Sequence, residues 1–112
     1  MVDNSLDRLD VVFHALADST RRSMLRSLTE RQHSVGELAA PFEISLAAAS
    51  KHIKVLERAG LVRRTVHGRT HICSLEASPL RDGAEWMRFY ERFWNASLDA
   101  LEAALLEEDQ GD

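Results

Sequence analysis

Apolar residues recur every three or four positions through the first thirty residues, with one interruption near Asp18. This spacing places them along one side of an α-helix. Either residue at the interruption, Asp18 or Ser19, is suited to cap a new helix. The pattern therefore predicts two consecutive amphipathic helices, with apolar sides that carry Leu9, Val12, Phe13 and Leu16 in the first and Met24, Leu25 and Leu28 in the second.

Two further helices are predicted, the first short and the second longer. Ser34 and Glu37 have the spacing of a capping box, and Pro41 marks the end of the short helix or a bend in it. Ser45 begins the longer helix, and Gly60 is suited to end it in a left-handed conformation. The apolar side of the longer helix is predicted to carry Ala49, Ile53 and Leu56.

After Gly60, β-branched residues on both sides of His67-Gly68 predict a β-hairpin. A last helix is expected to begin at Ser78-Pro79 and to run for about 28 residues. Two helices with a tight connection, followed by a hairpin, describe a winged helix-turn-helix. We therefore predict a mainly α-helical fold with a small β-hairpin, in the order α-α-α-α-β-β-α, as a single domain over residues 1–112.

The charge of the chain is distributed unevenly. Residues 45–75 hold six cations and one anion, a net charge of +5, whereas the whole chain carries −4 and the remainder therefore −9. A polyanion that contacts one face of the protein would account for such sorting, although an unevenly charged surface is the simpler alternative.

The predicted geometry favours double-stranded DNA as this polyanion. A helix of about 14 residues fits the major groove, and a hairpin beside it can reach the phosphates or the minor groove. Ala47, Ser50, Lys51 and Lys54 point away from the apolar side of the longer helix, and Arg64 and Arg69 flank the tip of the hairpin. The sequence therefore predicts that these six residues contact DNA.

The last helix carries most of the aromatic residues of the protein. Five of the seven lie between Trp86 and Trp94, and apolar positions continue to Leu105. This surface exceeds what one small core can cover, so we predict a homodimer interface; a pocket for an apolar small-molecule effector and ordinary core packing are the alternatives. The predicted interface contains Trp86, Phe89, Tyr90, Phe93, Trp94, Leu98 and Leu101, with Leu9 and Phe13 from the first helix.

Three stretches together resemble the ArsR family of bacterial winged-helix repressors: ALADSTRRSMLRSL, SVGELAAPFEISLAAASKHIKVLERAGLVRR and GRTHICSLEASPL. The resemblance implies dimerisation through the first and last helices, and repression of a promoter that an inducer relieves. It also implies that Leu46, Ala47, Ser50 and Lys51 point into the major groove. A two-fold dimer would recognise an imperfectly palindromic operator.

The chain departs from the metal-sensing members of that family. The resemblance implies two kinds of metal site, a cysteine pair on the third helix or, in other members, histidines and carboxylates on the last helix. Here the stretch that corresponds to the third helix, Glu37 to Phe42, has no thiol, and the last helix has no histidine. We therefore expect no metal at the sites known in the family, and no cofactor. A metal site formed by His67, His71 and Cys73 on the hairpin is a less favoured alternative.

Other functional classes have little support in the sequence. No catalytic constellation or phosphate-binding glycine loop is evident, so we expect no enzymatic activity. A winged domain that binds only protein is the third class, but the basic stretch ASKHIK argues against it. The chain has no uninterrupted apolar run of about 18 residues and no signal-like start, so we expect a cytoplasmic protein with no membrane partner.

The sequence leaves open the roles of three residues. Arg21 and Arg22 could contact DNA or form ion pairs with Glu30, Glu37 or Glu57, and Cys73 could form an intermolecular disulfide.

Overall fold

The computed structural model describes residues 4–110, so both ends of the predicted 1–112 domain lie outside the described residues. It confirms a winged helix-turn-helix fold. In chain order the elements are α1 (Asn4–Leu16), α2 (Ser19–Glu30), β1 (His33–Ser34), α3 (Val35–Ala39), α4 (Leu46–Arg58), β2 (Val62–His67), β3 (Thr70–Leu75), α5 (Ser78–Arg88) and α6 (Glu91–Gln110).

Side chains cap the first three helix starts that the sequence predicted. The Asp18 carboxylate accepts a hydrogen bond from the Arg21 backbone N–H at 3.0 Å. Ser34 and Glu37 form the reciprocal capping box at α3, and Ser45 accepts from the Ala48 N–H at 3.0 Å. These bonds satisfy backbone donors that a helix start leaves free, and thereby fix where α2, α3 and α4 begin.

The hairpin belongs to a three-stranded antiparallel sheet, in which β3 lies between β1 and β2. The sequence predicted β2 and β3 but not the two-residue strand β1, which pairs His33 with Cys73. Gly68 adopts a left-handed conformation with a φ of 65°, and Gly68-Arg69 forms the turn. The sheet therefore attaches the wing to the segment that precedes α3.

The four helices α1, α2, α3 and α4 share one hydrophobic core with the base of the wing. Ala49, Ile53 and Leu56 of α4 are each 0% exposed, which confirms the predicted inner side of this helix. A Cβ atom at Gly83 would lie 3.7 Å from the Phe13 ring, an ordinary van der Waals distance, so α5 packs against α1 at this point. The other buried members of the core include Ala15, Met24, Leu25, Leu28, Leu38, Leu61 and Cys73.

The single long helix predicted at the end of the chain is wrong in one respect, because it is two helices. The N–H groups of Phe89 and Tyr90 bond to carbonyls three residues back, on Trp86 and Met87. This tighter turn separates α5 from α6 without proline or glycine. The sequence predicts Ser78 as the N-cap and Pro79 as the first helical residue, but α5 begins one residue earlier, with Ala77 at the cap position and no side-chain capping bond.

Helix α6 extends away from the rest of the protein. The radius of gyration is 19.6 Å and the longest extent is 70 Å. A compact domain of this length would have a radius of gyration of about 13 Å. Most side chains of α6 are therefore exposed in the single chain. Among residues 4–110, none of the helices is both long enough and apolar enough to span a bilayer.

Candidate nucleic-acid interface

Helix α4 presents one polar, basic side to solvent. Because Ala49, Ile53 and Leu56 anchor the opposite side in the core, the outward direction of this helix is fixed. Leu46 is 61% exposed. Ala47, Lys51 and Lys54 are also exposed, whereas Ser50 is half-buried. The structure thus places all five predicted α4 residues outside the core.

A cleft connects this side of α4 with the wing. It has a volume of about 400 Å³ and lies between the start of α3, the start of α4 and strands β2 and β3. Leu46, Ser50, Arg64 and Arg69 line it. Four of the predicted DNA-contacting residues, from two elements separated in sequence, therefore meet at one concave surface.

Arg64 occupies a different position from Arg69. The Arg64 guanidinium donates to the Glu57 carboxylate at 2.6 Å, and its side chain is only 18% exposed. Arg69 lies in the exposed turn that connects His67 of β2 with Thr70 of β3. Arg64 therefore ties the wing to the C-terminal part of α4, while Arg69 is the basic side chain displayed at the tip.

Arg21, for which the sequence left open a DNA contact or a structural ion pair, is buried. Its Nε donates to the Ala15 carbonyl at 2.8 Å, and a terminal nitrogen donates to the His14 carbonyl at 2.9 Å. The other terminal nitrogen lies 3.2 Å from Nδ1 of His52 on α4. The sequence left DNA and carboxylates as the alternative partners of Arg21. In the structure its side chain instead contacts two backbone carbonyls at the end of α1 and a histidine.

The contact between Arg21 and His52 depends on the histidine tautomer. A guanidinium group has only donors, so a hydrogen bond forms here when Nδ1 of His52 accepts. Asp18 lies nearby, with its Oδ1 atom 3.9 Å from the same nitrogen. The backbone N–H of Arg21 is the main cause that lowers the pKa of Asp18. Arg21 thus joins the end of α1 to α4.

Arg22 differs from Arg21 in its surroundings. It is exposed and makes one bond to the protein, from its guanidinium to the Leu16 carbonyl at 2.7 Å. With Ser19, Ser23 and Arg26 it lines a small polar depression on α2. Arg22 is therefore accessible to a ligand, whereas Arg21 is not.

The wing residues that could bind a metal or form a disulfide, Cys73, His67 and His71, differ in exposure. Cys73 is 0% exposed, and burial raises the pKa of its thiol, which disfavours the thiolate that a metal or a disulfide partner requires. His67 and His71 are exposed on the wing. Within residues 4–110, no three histidine, cysteine or carboxylate side chains are grouped as a metal site would require.

The predicted dimer residues form an exposed aromatic surface along α5 and α6. Phe89 and Phe93 are each 75% exposed, and Trp86 is 48% exposed even though it packs against Phe13 with ring centroids 5.7 Å apart. Leu9 and Phe13 of α1 are half-buried. The remaining predicted residues are exposed, at 41% for Tyr90 and Trp94, 60% for Leu98 and 56% for Leu101.

A core-anchored helix with an outward basic side, next to a β-wing, defines the class of winged helix-turn-helix DNA-binding proteins. Comparison with known proteins agrees: a helix-turn-helix domain family matches residues 16–65. The HTH-type transcriptional regulator Rv2034 of Mycobacterium tuberculosis is 35% identical over 103 residues, which cover 92% of each chain.

Two further relatives are similar to this chain, and the second is a member of a named family. The transcriptional repressor SdpR of Bacillus subtilis is 33% identical over 76 residues, covering 68% of this chain and 84% of SdpR. The crystal structure of the ArsR family transcriptional regulator RHA00566 superposes with a TM-score of 0.74 at 36% identity, over 80% of this chain and 92% of that one. The protein belongs to the ArsR family of transcriptional regulators.

Proposed function

We propose that the protein is a transcriptional repressor that binds a palindromic operator as a homodimer. The observation that carries the proposal is the fixed orientation of α4. Three of its residues are fully buried, and the opposite side displays Lys51 and Lys54 beside the wing. In other winged domains a helix held in this way enters the major groove.

The surface suggests a division of roles among the DNA contacts. Leu46, Ala47, Ser50 and Lys51 lie at the N-terminal half of α4, where side chains reach base edges in the major groove. Lys54 lies one turn further along and is assigned to a phosphate. Arg69 at the wing tip is assigned to a phosphate or the minor groove. Arg64 acts indirectly, because its ion pair with Glu57 holds the wing against α4.

The exposed surface of α5 and α6 supports the homodimer. Phe89, Phe93 and Leu98 are 60–75% exposed in the single chain. Large aromatic side chains left in water are unusual in a monomer and are enriched at protein interfaces. A second copy, related by a two-fold axis, would cover this surface and would present two α4 helices about one DNA turn apart.

We further propose that no metal ion controls the protein through the positions used in metal-sensing relatives. The resemblance places those ligands on the third and last helices, where this chain has Glu37 to Phe42 without a thiol and a last helix without histidine. Burial of Cys73 also argues against a metal site on the wing. The name of SdpR, a repressor, supports repression as the regulatory direction.

Two substitutions test the assignment of base and phosphate contacts. An operator is first selected from random DNA, and binding to it and to scrambled DNA is measured across a salt series. Lys51→Ala should reduce the preference for the operator by about 1–3 kcal/mol. Arg69→Ala should weaken binding to both DNAs equally and reduce the slope of log affinity against log salt by roughly two for a dimer.

Arg92→Ala is the matched control, because it removes an exposed cation from α6, a helix that carries none of the assigned DNA contacts. It should leave both the preference and the salt slope unchanged. If wild-type protein selects no DNA, the proposed function is wrong. If Lys51→Ala weakens both DNAs equally, the assignment of α4 to base contacts is wrong.

A further inference from the structure

A cavity of about 530 Å³ lies where the C-terminal end of α4 meets α1 and the start of α5. Its floor is apolar and includes Val11, Val12 and Pro79. Gly60 forms part of the wall in a left-handed conformation, and a Cβ atom there would lie 3.4 Å from Pro79. The volume is within the range of pockets that hold small organic ligands.

The rim of this cavity is basic. Arg8 from α1, Arg58 from α4 and Arg81 from α5 line it, together with one carboxylate, Asp82, so the lining groups carry a net charge of +2. Among the described side chains, Arg58 and Arg81 take part in no ion pair. Arginine side chains from three helices therefore line one cavity together with apolar residues.

The floor continues beyond this cavity. A neighbouring cavity of about 380 Å³ shares Val11 and Arg58 and adds Val55 of α4, with Asp10 and His14 at its polar side. Val11 is 40% exposed where the two cavities meet. A ligand with a charged head at the arginines would thus find apolar surface for a short tail along α1.

We propose that this cavity binds a small organic carboxylate with an apolar body, and that the bound carboxylate weakens DNA binding. Guanidinium groups form paired, charge-assisted hydrogen bonds with carboxylates. The net positive rim disfavours a cationic ligand, and an inorganic anion would leave the apolar floor unused. The regulatory part rests on the proposed function and deepens it by naming the class of the inducing molecule.

The position of Arg58 explains the expected coupling. It is the last residue of α4, the helix assigned to the major groove, while Arg8 and Arg81 belong to α1 and α5, which also contribute residues to the proposed dimer surface. A carboxylate that contacts all three would join the end of α4 to α1 and α5. It would also add negative charge next to α4, which reduces the attraction of this helix for DNA.

The test measures ligand binding without DNA. Sodium octanoate, below the concentration at which it forms micelles, is titrated calorimetrically into the full-length protein. Octan-1-ol supplies the same apolar body without charge, and inorganic phosphate supplies charge without an apolar body. Octanoate should bind with a saturable one-per-chain stoichiometry, and the other two should bind at least about tenfold more weakly.

Paired variants locate the site. Arg58→Gln with Arg81→Gln should weaken octanoate binding at least about tenfold, since each removes a charged hydrogen bond. The control is Arg88→Gln with Arg92→Gln, which removes the same charge beside the aromatic surface of α5 and α6 and should bind octanoate like wild type. Equal octanoate binding by both double variants, or comparable binding of phosphate or octan-1-ol to wild type, would overturn the assignment of the cavity.

Operator binding is then measured with and without octanoate. Saturating octanoate should weaken operator binding of the wild type by about fivefold and that of the Arg58 and Arg81 double variant by much less. Octanoate binding with no change in operator affinity would overturn the regulatory part. If operator binding is absent even without octanoate, the proposed function fails, while the calorimetric result still decides whether the cavity binds a carboxylate.

Discussion

Replacing Arg21 should destabilise the protein far more than replacing its neighbour Arg22. Arg21→Met keeps the length of the side chain but removes three hydrogen bonds, to the His14 and Ala15 carbonyls and to Nδ1 of His52. Arg22→Met removes one bond, to the Leu16 carbonyl, at an exposed position. The two substitutions are chemically identical and one residue apart, so they differ only in surroundings.

The size of the effect follows from these bonds. A hydrogen bond to a charged group contributes about 1.5–3 kcal/mol, and the two carbonyl bonds of Arg21 are partly or fully buried. We therefore expect Arg21→Met to lower the free energy of unfolding by about 3–5 kcal/mol. Arg22→Met should cost less than about 1 kcal/mol, because water replaces its one exposed bond. The whole free energy of unfolding of a domain of this size is only about 5–15 kcal/mol.

Urea unfolding followed by circular dichroism measures the difference, at one fixed protein concentration because a dimer unfolds in a concentration-dependent way. The salt slope of operator binding provides a second readout, which Arg21→Met should leave unchanged in folded protein because Arg21 is not on the DNA-binding surface. If the two variants have equal stability, or if Arg21→Met reduces the salt slope, the structural role of Arg21 is wrong.

Three further predictions concern assembly, metal and acid. Phe93→Glu should shift the protein to monomers in sedimentation and weaken its self-association at least about hundredfold, whereas Asn95→Glu on the same helix should not; a dimeric Phe93→Glu would mean that the aromatic surface lies elsewhere. Zn²⁺, Cd²⁺ or arsenite should change operator affinity by less than about threefold, and a tight stoichiometric metal that releases DNA would contradict this. Backbone hydrogen bonds lower the pKa of the Asp18 and Glu37 carboxyl groups, so the contribution of these two groups to the free energy of unfolding should be complete above about pH 5 and lost as the pH falls below about 4. Glu37→Gln should make the free energy of unfolding, measured by urea titration, depend less on pH in this range. An unchanged pH dependence would refute the role of Glu37.

The parts of the fold that sequence reasoning predicted correctly depend on neighbours along the chain. The Ser34–Glu37 capping box is specified by two residues three positions apart, and the buried side of α4 by three apolar residues at helical spacing. Local signals of this kind need no knowledge of the tertiary structure. They were sufficient to predict the orientation of α4, and with it the basic surface that faces outward.

The features that sequence reasoning missed depend on distant contacts. Strand β1 has only two residues and exists because it pairs with β3, about forty positions later. The break between α5 and α6 contains no proline or glycine; it lies within a cluster of aromatic rings, in which the Trp86 and Tyr90 rings are tilted and their centroids lie 4.9 Å apart. The partners of Arg21 were missed because backbone carbonyls at the end of α1 leave no trace in the sequence.

Several contacts between residues distant in sequence involve α4. The core holds its inner side, but polar groups hold its flanks: Arg21 contacts His52 in the middle of the helix, and Arg64 of the wing binds Glu57 near its end. Arg58, one residue later, lies at the basic cavity. The apolar contacts tolerate little change, because a packed core resists small displacements. Polar contacts at the flanks can be exchanged for ligand contacts at a lower cost in free energy. A signal that reorients α4 on DNA should therefore act at its C-terminal end, where Glu57 contacts β2 and Arg58 lines a cavity with α1 and α5.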